Sequence, residues 1–226
     1  NLLDFKFNPE RQQYQYIKYR NPLQVQCMLL DAGFNLLDSF TTVNGVSHDI
    51  HDFQITPSGA IYLAGAKDTI INLSAYQFDG IQGSATTRAQ GFVVQEFDAN
   101  HQLLFQWNSN DHIHPGETYV GYGYNPAAFD YCHGNSIGED TDGNLLISFR
   151  NLDAVYKIDR KTGVPIWQLG GKNSSFTFHN DAGFSGQHDA RRLSNGNIAL
   201  FDNANLSPTP RHSRAVEYRL DTVNWT

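Results

Sequence analysis

The chain has 226 residues, of which 40% are hydrophobic, 13% aromatic and 17% charged, a composition that excludes a largely disordered chain. The formal net charge is -7 and lysine and arginine form no cluster, which argues against general binding to a nucleic-acid backbone. No apolar run approaches the roughly 18–20 residues of a membrane-spanning helix, so no membrane span is predicted.

Short β-rich runs separated by Gly, Asn, Asp and Pro follow one another along the chain, with almost no helical periodicity. One recurring unit is a tight turn followed by a strand. The turn contains a glycine at a position that requires a positive φ; these glycines are Gly59, Gly143 and Gly196. A second unit is a hairpin that ends on an aromatic residue; it covers 30–40, 97–107, 158–167 and 220–225. Together the units predict an all-β fold, a β-propeller built from four-stranded blades.

We predict one β-propeller domain over residues 1–226, with about four blades or parts of blades. We expect it to be incomplete at one or both ends, because the chain begins part-way into a blade and ends just after a hairpin aromatic. Both a homo-oligomer and an assembly with a partner protein are compatible with the sequence. Residues 66–90 and 111–131 have the amino-acid composition of loops and are predicted to be long connections.

The cysteines and glycosylation sequons bear on the cellular compartment. A disulfide between Cys27 and Cys132 stays open, because two thiols in a chain of this size decide little. The Asn-x-Ser/Thr sequons begin at Asn72, Asn173, Asn205 and Asn224. They favour an exported glycoprotein, located outside the cell, in the periplasm or in the secretory lumen.

Three histidines occupy similar positions in the repeat. His51, His133 and His188 lie eight, ten and eight residues before the three repeat glycines. If the strand before each turn is the innermost strand of its blade, three imidazoles meet at a shared channel. His48 is an alternative to His51 as the first of the three histidines. In a structural alternative to a shared site, the repeat histidines form hydrogen bonds between neighbouring blades. A three-histidine metal site is a further alternative, although no spacing typical of a strong metal site is present.

Arg150 is a charge inside an otherwise apolar strand, in the segment Leu-Ile-Ser-Phe-Arg-Asn at 146–151. Such a side chain faces solvent, pairs with an acid or holds an anionic ligand, and the planar guanidinium suits an oxyanion. The chain has no Gly-x-Ser-x-Gly nucleophile motif and no phosphate-binding glycine loop. Histidine plus arginine without these motifs indicates transfer of a charged group and predicts no nucleotide cofactor.

Four segments resemble the arylsulfotransferase family, the type that is independent of the nucleotide sulfate donor. They are Asp-Tyr-Cys-His-Gly-Asn-Ser-Ile at 130–137, Ser-Phe-Arg-Asn at 148–151, Trp-Gln-Leu-Gly-Gly at 167–171 and Gly-Gln-His-Asp-Ala-Arg at 186–191. The similarity runs from about Ser47 to the C-terminus. It implies a six-bladed propeller with its active site at the central channel. The N-terminal β domain usual in bacterial members is not recognisable in this sequence.

The resemblance implies an aryl-sulfate sulfotransferase, which moves a sulfuryl group from an aryl sulfate to a phenol through a sulfohistidine. Matched residue by residue, His188 is the nucleophile and His133 with Arg150 holds the sulfuryl oxygens. His51 matches the earlier channel histidine. The implied partners are these two small molecules, with no cofactor and no metal.

Further residues near His133 are candidate substrate contacts: Asn135, Tyr124 and Tyr131. Tyr122 and Phe129 belong to the same aromatic-rich stretch, and ordinary packing of a long loop is the alternative for all four rings. A different class of function also stays open, a non-catalytic propeller that serves as a binding or structural module of an extracellular assembly.

Overall fold

The computed structural model describes residues 1–122, 128–205 and 210–226. The chain divides into two compact units. Unit 1 comprises Asn1–Lys67 and Phe92–Asn108, and unit 2 comprises Asp68–Gly91 and Ser109–Thr226. Apart from three short 3-10 turns in the described ranges, the regular structure is β-strand; the turns are Ser109–Asp111, Pro115–Glu117 and Arg150–Leu152.

The first sheet is an antiparallel meander in the order β1-β2-β3-β4. Its strands are β1 (Leu2–Asn8), β2 (Gln13–Asn21), β3 (Gln24–Leu30) and β4 (Leu36–Phe40). In β2 and β3, apolar side chains such as Ile17, Val25 and Cys27 are buried between more exposed neighbours, which is the period of a sheet with one core face. Residues 2–40 thus form one four-stranded sheet.

The second sheet has the order β10-β9-β6-β5. Its strands are β5 (Ser47–Ile55), β6 (Ile61–Ile71), β9 (Thr87–Phe97) and β10 (Leu103–Asn108), and a small hairpin, β7 (Gln77–Phe78) and β8 (Ile81–Gln82), lies between β6 and β9. The predicted loop at 66–90 is therefore only partly correct. The run Thr69-Ile-Ile71 is β-branched and continues β6, since such side chains favour extended backbone.

Two further sheets lie in unit 2, each an antiparallel meander. One contains β11 (Gly134–Glu139), β12 (Leu145–Phe149), β13 (Ala154–Ile158) and β14 (Pro165–Gly170). The other contains β15 (His188–Arg192), β16 (Ile198–Asp202) and β17 (Arg214–Tyr218). The predicted fold class, all-β with sheets of propeller-blade type, is confirmed.

The repeat glycines mark the first hairpin of three sheets. Gly59, Gly143 and Gly196 have φ of 94°, 80° and 88° and close the turns β5–β6, β11–β12 and β15–β16. A side chain at these angles would be strained, which explains the recurring glycine. β11 begins directly after His133 and β15 begins at His188, whereas His51 is the fifth residue of β5.

Each unit has its own hydrophobic core between two sheets. Unit 1 buries Ile17, Val25, Cys27, Phe40, Phe53, Ile55, Ile61, Leu63 and Phe97. Unit 2 buries Leu146, Val155, Trp167, Leu169, Phe176, Phe184, Ala190, Ile198 and Leu200. Burying one such large side chain stabilises a fold by about 1.5–3 kcal/mol, so these cores hold neighbouring sheets together.

An ionic cluster around Asp140 fastens β15 to the sheet beside it. Asp140 is buried and accepts hydrogen bonds from Arg192 Nε and Nη2 at 2.7 and 2.9 Å, while Lys157 Nζ lies 2.8 Å away. Burial alone would raise the pKa of Asp140, but the hydrogen bonds from Arg192 and Lys157 outweigh it and hold the pKa well below its usual range. The cluster sets the position of the strand that begins at His188.

Both cysteines are buried and neither is in a disulfide, so the disulfide that the sequence left open is not formed. Cys27 Sγ lies 3.4 Å from His48 Nε2, and Cys132 Sγ lies 3.4 Å from Ser109 Oγ. Three sequon asparagines are exposed, at positions 72, 173 and 224. Within the described ranges, no helix has both the length and the apolarity to cross a membrane.

Candidate active site

Three of the predicted site residues, His133, Arg150 and His188, lie at neighbouring strand ends of unit 2. Gly134 at the start of β11 pairs with Phe149 at the end of β12, and just beyond this pair the Arg150 N–H donates to the His133 carbonyl at 3.0 Å. Gln187, which precedes β15, donates from Nε2 to the Phe149 carbonyl at 3.2 Å. His133, Arg150 and His188 are therefore carried by neighbouring strand ends, although they are widely separated in sequence.

Asp130 holds the His133 imidazole. His133 has a left-handed backbone, with φ of 49°, and its N–H donates to Asp130 Oδ1 at 3.0 Å. Its Nδ1 lies 2.5 Å from Asp130 Oδ2. Because a carboxylate only accepts, this bond places a proton on Nδ1 and orients the ring. The His133 side chain is 31% exposed and that of Asp130 is 10% exposed, so the ring can meet a ligand while its anchor stays buried.

The guanidinium of Arg150 is oriented by the residue that follows it. Arg150 Nη1 donates to Asn151 Oδ1 at 2.7 Å, and Asn151 Nδ2 donates to the Asp130 carbonyl at 2.7 Å. Asn151 is buried, whereas Arg150 is half-buried. A guanidinium has five N–H donors, and the bond to Asn151 uses one of them. The Asp130 loop thus supports both His133 and Arg150.

His188 is half-buried at the first position of β15. Its Nδ1 lies 3.0 Å from the Gly186 carbonyl oxygen and 2.9 Å from Asn203 Nδ2. The register of β15 shifts just after His188, and Asp189 is left-handed with φ of 55°. Asp189 is 70% exposed and pairs with Arg191 at 2.6 Å. The aspartate after His188 is thus a surface residue, and the contacts that orient the imidazole come from Gly186 and Asn203.

Asn135 and Gln187 form a buried polar layer between His133 and His188. Asn135 Nδ2 donates to the Gln187 carbonyl at 2.9 Å. Gln187 Nε2 lies within hydrogen-bond distance of three acceptors, at Ser148, Phe149 and Ala154. Asn135 Oδ1 and Gln187 Oε1 are buried and have no donor among the described residues. Asn135 stays a predicted substrate contact, with an acceptor oxygen suited to a hydroxyl group.

The aromatic residues before His133 pack inside unit 2 where they are described. Tyr131 is completely buried and donates its hydroxyl to Ser109 Oγ at 3.0 Å. Phe129 is buried against Phe78 and Tyr122, with ring centroids 4.8 and 5.3 Å away. These placements favour the packing alternative over an aromatic slot. Tyr124 lies outside the described residues.

His51 and His48 lie in unit 1, on β5. The His51 N–H and Nδ1 lie 2.7 and 2.9 Å from Asp49 Oδ1, the same kind of anchoring by an upstream aspartate that His133 shows. His48 packs against Cys27, its Nδ1 lies 2.7 Å from the Asp49 carbonyl oxygen, and burial lowers its pKa. The anchoring favours His51 over His48 as the histidine equivalent to His133. Its convergence with the residues of unit 2 stays a prediction.

Asp153 connects the Arg150 turn to the loop before His188. It is buried and left-handed, and Gly186 N donates to its Oδ1 at 2.5 Å. Burial raises the pKa of Asp153 to about 6, against the opposing effects of the Gly186 hydrogen bond and the Arg150 charge. Ionisation of Asp153 in the folded protein therefore lowers the free energy of unfolding. This loss is absent at low pH and develops as the pH rises towards 6.

Replacing Asp153 by asparagine should stabilise the protein at pH 8. The amide keeps an oxygen for the Gly186 N–H and tolerates the left-handed backbone, but it carries no charge to desolvate. In the wild type, stability is highest below the unfolded pKa and is lost as the pH rises through the folded pKa. The gain should be on the order of 1–3 kcal/mol at pH 8 and should nearly disappear at pH 4.

Urea unfolding of Asp153→Asn and wild type at the two pH values measures this difference. Asp79→Asn is the matched control, because Asp79 is also a left-handed aspartate, with φ of 51°, but is exposed. If the variant is less stable than wild type at pH 8, the attraction between the Asp153 carboxylate and Arg150 stabilises the fold by more than the burial of that charge destabilises it.

Within the described ranges, no group of three or more His, Cys, Asp and Glu side chains is arranged to hold a metal ion.

Most of the chain matches one known protein family. A profile of the family described as Arylsulfotransferase (ASST) matches residues 34–226. The chain belongs to the arylsulfotransferase family. The match contains every residue of the candidate active site, and it confirms the family to which the four sequence segments pointed. No curated protein matches this arylsulfotransferase-family chain.

Two solved structures match this chain over part of their length. One is a protein of unknown function from Bacteroides caccae, with 12% identity and a TM-score of 0.47, covering 92% of this chain and 57% of that protein. The chain thus spans little more than half of that protein's length. The other is virginiamycin B lyase from Staphylococcus aureus, with 9% identity and a TM-score of 0.40, covering 99% of this chain and 71% of the lyase.

The aspartate that anchors His133 and the amide beside His188 were not predicted from sequence. Asp49 and Asp130, which precede His51 and His133, make the contacts described above. An aspartate two or three residues before a repeat histidine was a readable signal. Asn203 had no such signal, because it lies on a different strand connection.

Proposed function

We propose that this protein is a sulfotransferase that moves a sulfuryl group from an aryl sulfate to a phenol through a covalent intermediate on His188. The observation that carries the proposal is the anchoring of His188 Nδ1 at the Gly186 carbonyl. A carbonyl oxygen only accepts, so in the tautomer that donates to Gly186 the proton lies on Nδ1 and the lone pair lies on Nε2. Family membership supports sulfuryl transfer as the reaction.

In the first step, His188 Nε2 attacks sulfur and forms an N–S bond while the bond from sulfur to the aryl oxygen breaks. The electron pair of that bond leaves with the phenolate. The imidazole ring gains positive charge and keeps its proton on Nδ1, where the Gly186 carbonyl accepts it. In the second step, the acceptor oxygen attacks sulfur, the N–S bond breaks and neutral His188 returns.

We assign Arg150 and His133 the role of donating hydrogen bonds to the sulfuryl oxygens. Negative charge gathers on these oxygens as the group is transferred, and donors already in place stabilise it without reorganisation. His133, held by Asp130, also supplies a proton to the departing phenolate and takes one from the acceptor phenol. The Asp130 bond keeps one nitrogen of the ring occupied, so proton exchange with the substrates is assigned to Nε2.

A labelling experiment tests the proposal. Full-length protein is incubated with an aryl sulfate without acceptor, and its tryptic peptides are analysed by mass spectrometry. The peptide from Asn173 to Arg191 contains both His179 and His188, so its fragments distinguish an exposed histidine from the proposed nucleophile within one molecule. We expect one added SO3 group on His188, which disappears when phenol is added.

Sulfuryl transfer without a label on His188 would exclude the covalent mechanism. Absence of transfer by the full-length protein with a panel of aryl sulfates would favour the non-catalytic alternative. In that case His188→Ala should also leave every ligand-binding property unchanged.

A further inference from the structure

A cavity of about 380 Å³ lies in unit 2, next to the 3-10 turn Arg150–Leu152. Its walls come from Tyr119 in the connection before β11, from Asp153 directly after the turn, and from residues between 170 and 185. Among the described residues, none of those assigned to sulfuryl transfer lines this space. The Asp153 cavity is therefore separate from the site of the proposed reaction.

The Asp153 cavity lies at the same end of its sheet as the candidate active site. The four strands β11 to β14 are paired in one row at this end, through Gly134, Phe149, Ala154 and Gly170. His133 directly precedes the first residue of the row, and Asp153 directly precedes the third. A ligand in the cavity would thus lie on the side of the sheet where the strand ends carry functional side chains.

Three aromatic rings line the cavity: those of Tyr119, Phe178 and Phe184. The rings of Phe178 and Phe184 are perpendicular, with centroids 6.0 Å apart. Phe184 approaches the backbone closely, since a Cβ on Gly170 would lie 2.8 Å from its Cζ atom. Aromatic walls of this kind favour a planar aromatic ligand, which packs edge-to-face or in offset stacks against them.

Asp153 supplies a hydrogen-bond acceptor to this aromatic space. The residue is only 6% exposed, and its Oδ1 accepts from the Gly186 N–H at 2.5 Å. Its second oxygen, Oδ2, has neither a hydrogen bond nor an ion pair with any described residue. A buried carboxylate oxygen without a donor is costly, so a ligand that brings a donor into the cavity gains a strong hydrogen bond.

The charges around the cavity favour a neutral donor over an ammonium group. Besides burial, which raises the pKa of Asp153, the positive charge of Arg150 acts on this carboxylate and lowers its pKa. Lys172 Nζ lies 5.1 Å from the centroid of the Tyr119 ring. A cationic ligand would therefore meet two cations of the protein, whereas a hydroxyl group donates to Asp153 without this repulsion.

We propose that the Asp153 cavity is a binding site for a phenol, whose ring packs among Tyr119, Phe178 and Phe184 and whose hydroxyl group donates to Asp153. The proposal goes beyond sulfuryl transfer, because this site needs neither His188 nor an aryl sulfate. Asp153 also accepts from Gly186, so a phenol bound here contacts the residue that holds the loop preceding His188.

Two probes of nearly the same shape test the hydrogen bond. The first is 4-fluorophenol, which has a hydroxyl donor, and the second is 4-fluoroanisole, whose methyl ether cannot donate. Their dissociation constants for the full-length protein are measured by 19F NMR titration at pH 8, where Asp153 is ionised. Wild type should bind 4-fluorophenol at least about 10-fold more tightly, as expected for a hydrogen bond to a charged acceptor.

Asp153→Asn should abolish the preference for the phenol. The Gly186 N–H needs the amide oxygen as its acceptor, so the amide nitrogen faces the cavity. This nitrogen donates to a phenol oxygen and to an ether oxygen alike, and the two dissociation constants should differ by less than about 2-fold. Asp79→Asn, at an exposed aspartate of the same unit, should keep the wild-type preference.

Tyr119→Ala tests the aromatic wall and removes a side chain that is 40% exposed. Both probes should bind about 3- to 10-fold more weakly, while the preference for 4-fluorophenol is kept, because the ring packs against either probe. The matched control is Tyr76→Ala. Tyr76 is 37% exposed and belongs to the same unit, but it does not line the Asp153 cavity.

The inference is overturned if wild type binds the two probes equally, if Asp153→Asn keeps the preference, or if benzylamine binds more tightly than phenol. His188→Ala should bind both probes as wild type does, and a preference that is lost only in this variant would place the phenol at the transfer site instead. The titration needs no turnover. Binding to the Asp153 cavity can therefore be established even if the protein transfers no sulfuryl group, and transfer without this binding rejects the inference alone.

Discussion

Replacing His188 by alanine should lower kcat/KM for sulfuryl transfer from an aryl sulfate to a phenol by at least about 1,000-fold. Alanine has no lone pair to attack sulfur, and water cannot take over a step that needs a covalent carrier on the protein. Release of phenol should lose its initial burst, and the SO3 label on the 173–191 peptide should disappear.

His179→Ala is the matched control for this variant. His179 is an exposed histidine of the same unit, in the same tryptic peptide, and it should leave both the rate and the label unchanged. Thermal unfolding should show that His188→Ala is folded, since the side chain is only half-buried. A His188→Ala protein with more than a tenth of the wild-type rate would exclude His188 as the nucleophile.

Replacing Arg150 by alanine should lower kcat by about 100- to 1,000-fold, as expected for loss of a donor to a developing oxyanion. Lysine at this position should restore only part of the rate, because an ammonium group supplies charge without the planar pair of N–H groups. The Asn151 side chain, which now accepts from Arg150 Nη1, also loses its partner in Arg150→Ala.

Steady-state kinetics of Arg150→Ala and Arg150→Lys separate kcat from KM for the aryl sulfate. Arg219→Lys, at an exposed arginine of unit 2, is the control for a change of cation at the surface. If Arg150→Ala raised KM alone and left kcat intact, Arg150 would bind the ground-state sulfate without stabilising its transfer.

Much of the fold is readable from local sequence. The turn glycines at 59, 143 and 196 and the aromatic-ended hairpins have a chemical reason that needs no tertiary structure, namely positive φ and a period of two. The errors fell where local signals are weak. The segment 66–90 lacks a clear alternation, yet β6 and β9 extend into it, because strand length depends on pairing with a neighbour.

The candidate site was predicted in part. His133, Arg150 and His188 were selected from repeat position and family resemblance, and the structure places them on neighbouring strand ends of unit 2. The tyrosine contacts were less well founded, since an aromatic residue in a loop has the same sequence signature whether it lines a cleft or fills a core, as Tyr131 does.

The sequence by itself determined the all-β class, the repeat that spaces His133 and His188, and the residues that belong to the arylsulfotransferase family. Only the tertiary structure decided which distant side chain contacts an imidazole. Asp130 and Gly186 lie within three residues of the histidines that they contact, whereas Asn203 reaches His188 from another strand connection. Hydrogen-bond partners that lie on different strands depend on backbone geometry in three dimensions, which no spacing along the chain encodes.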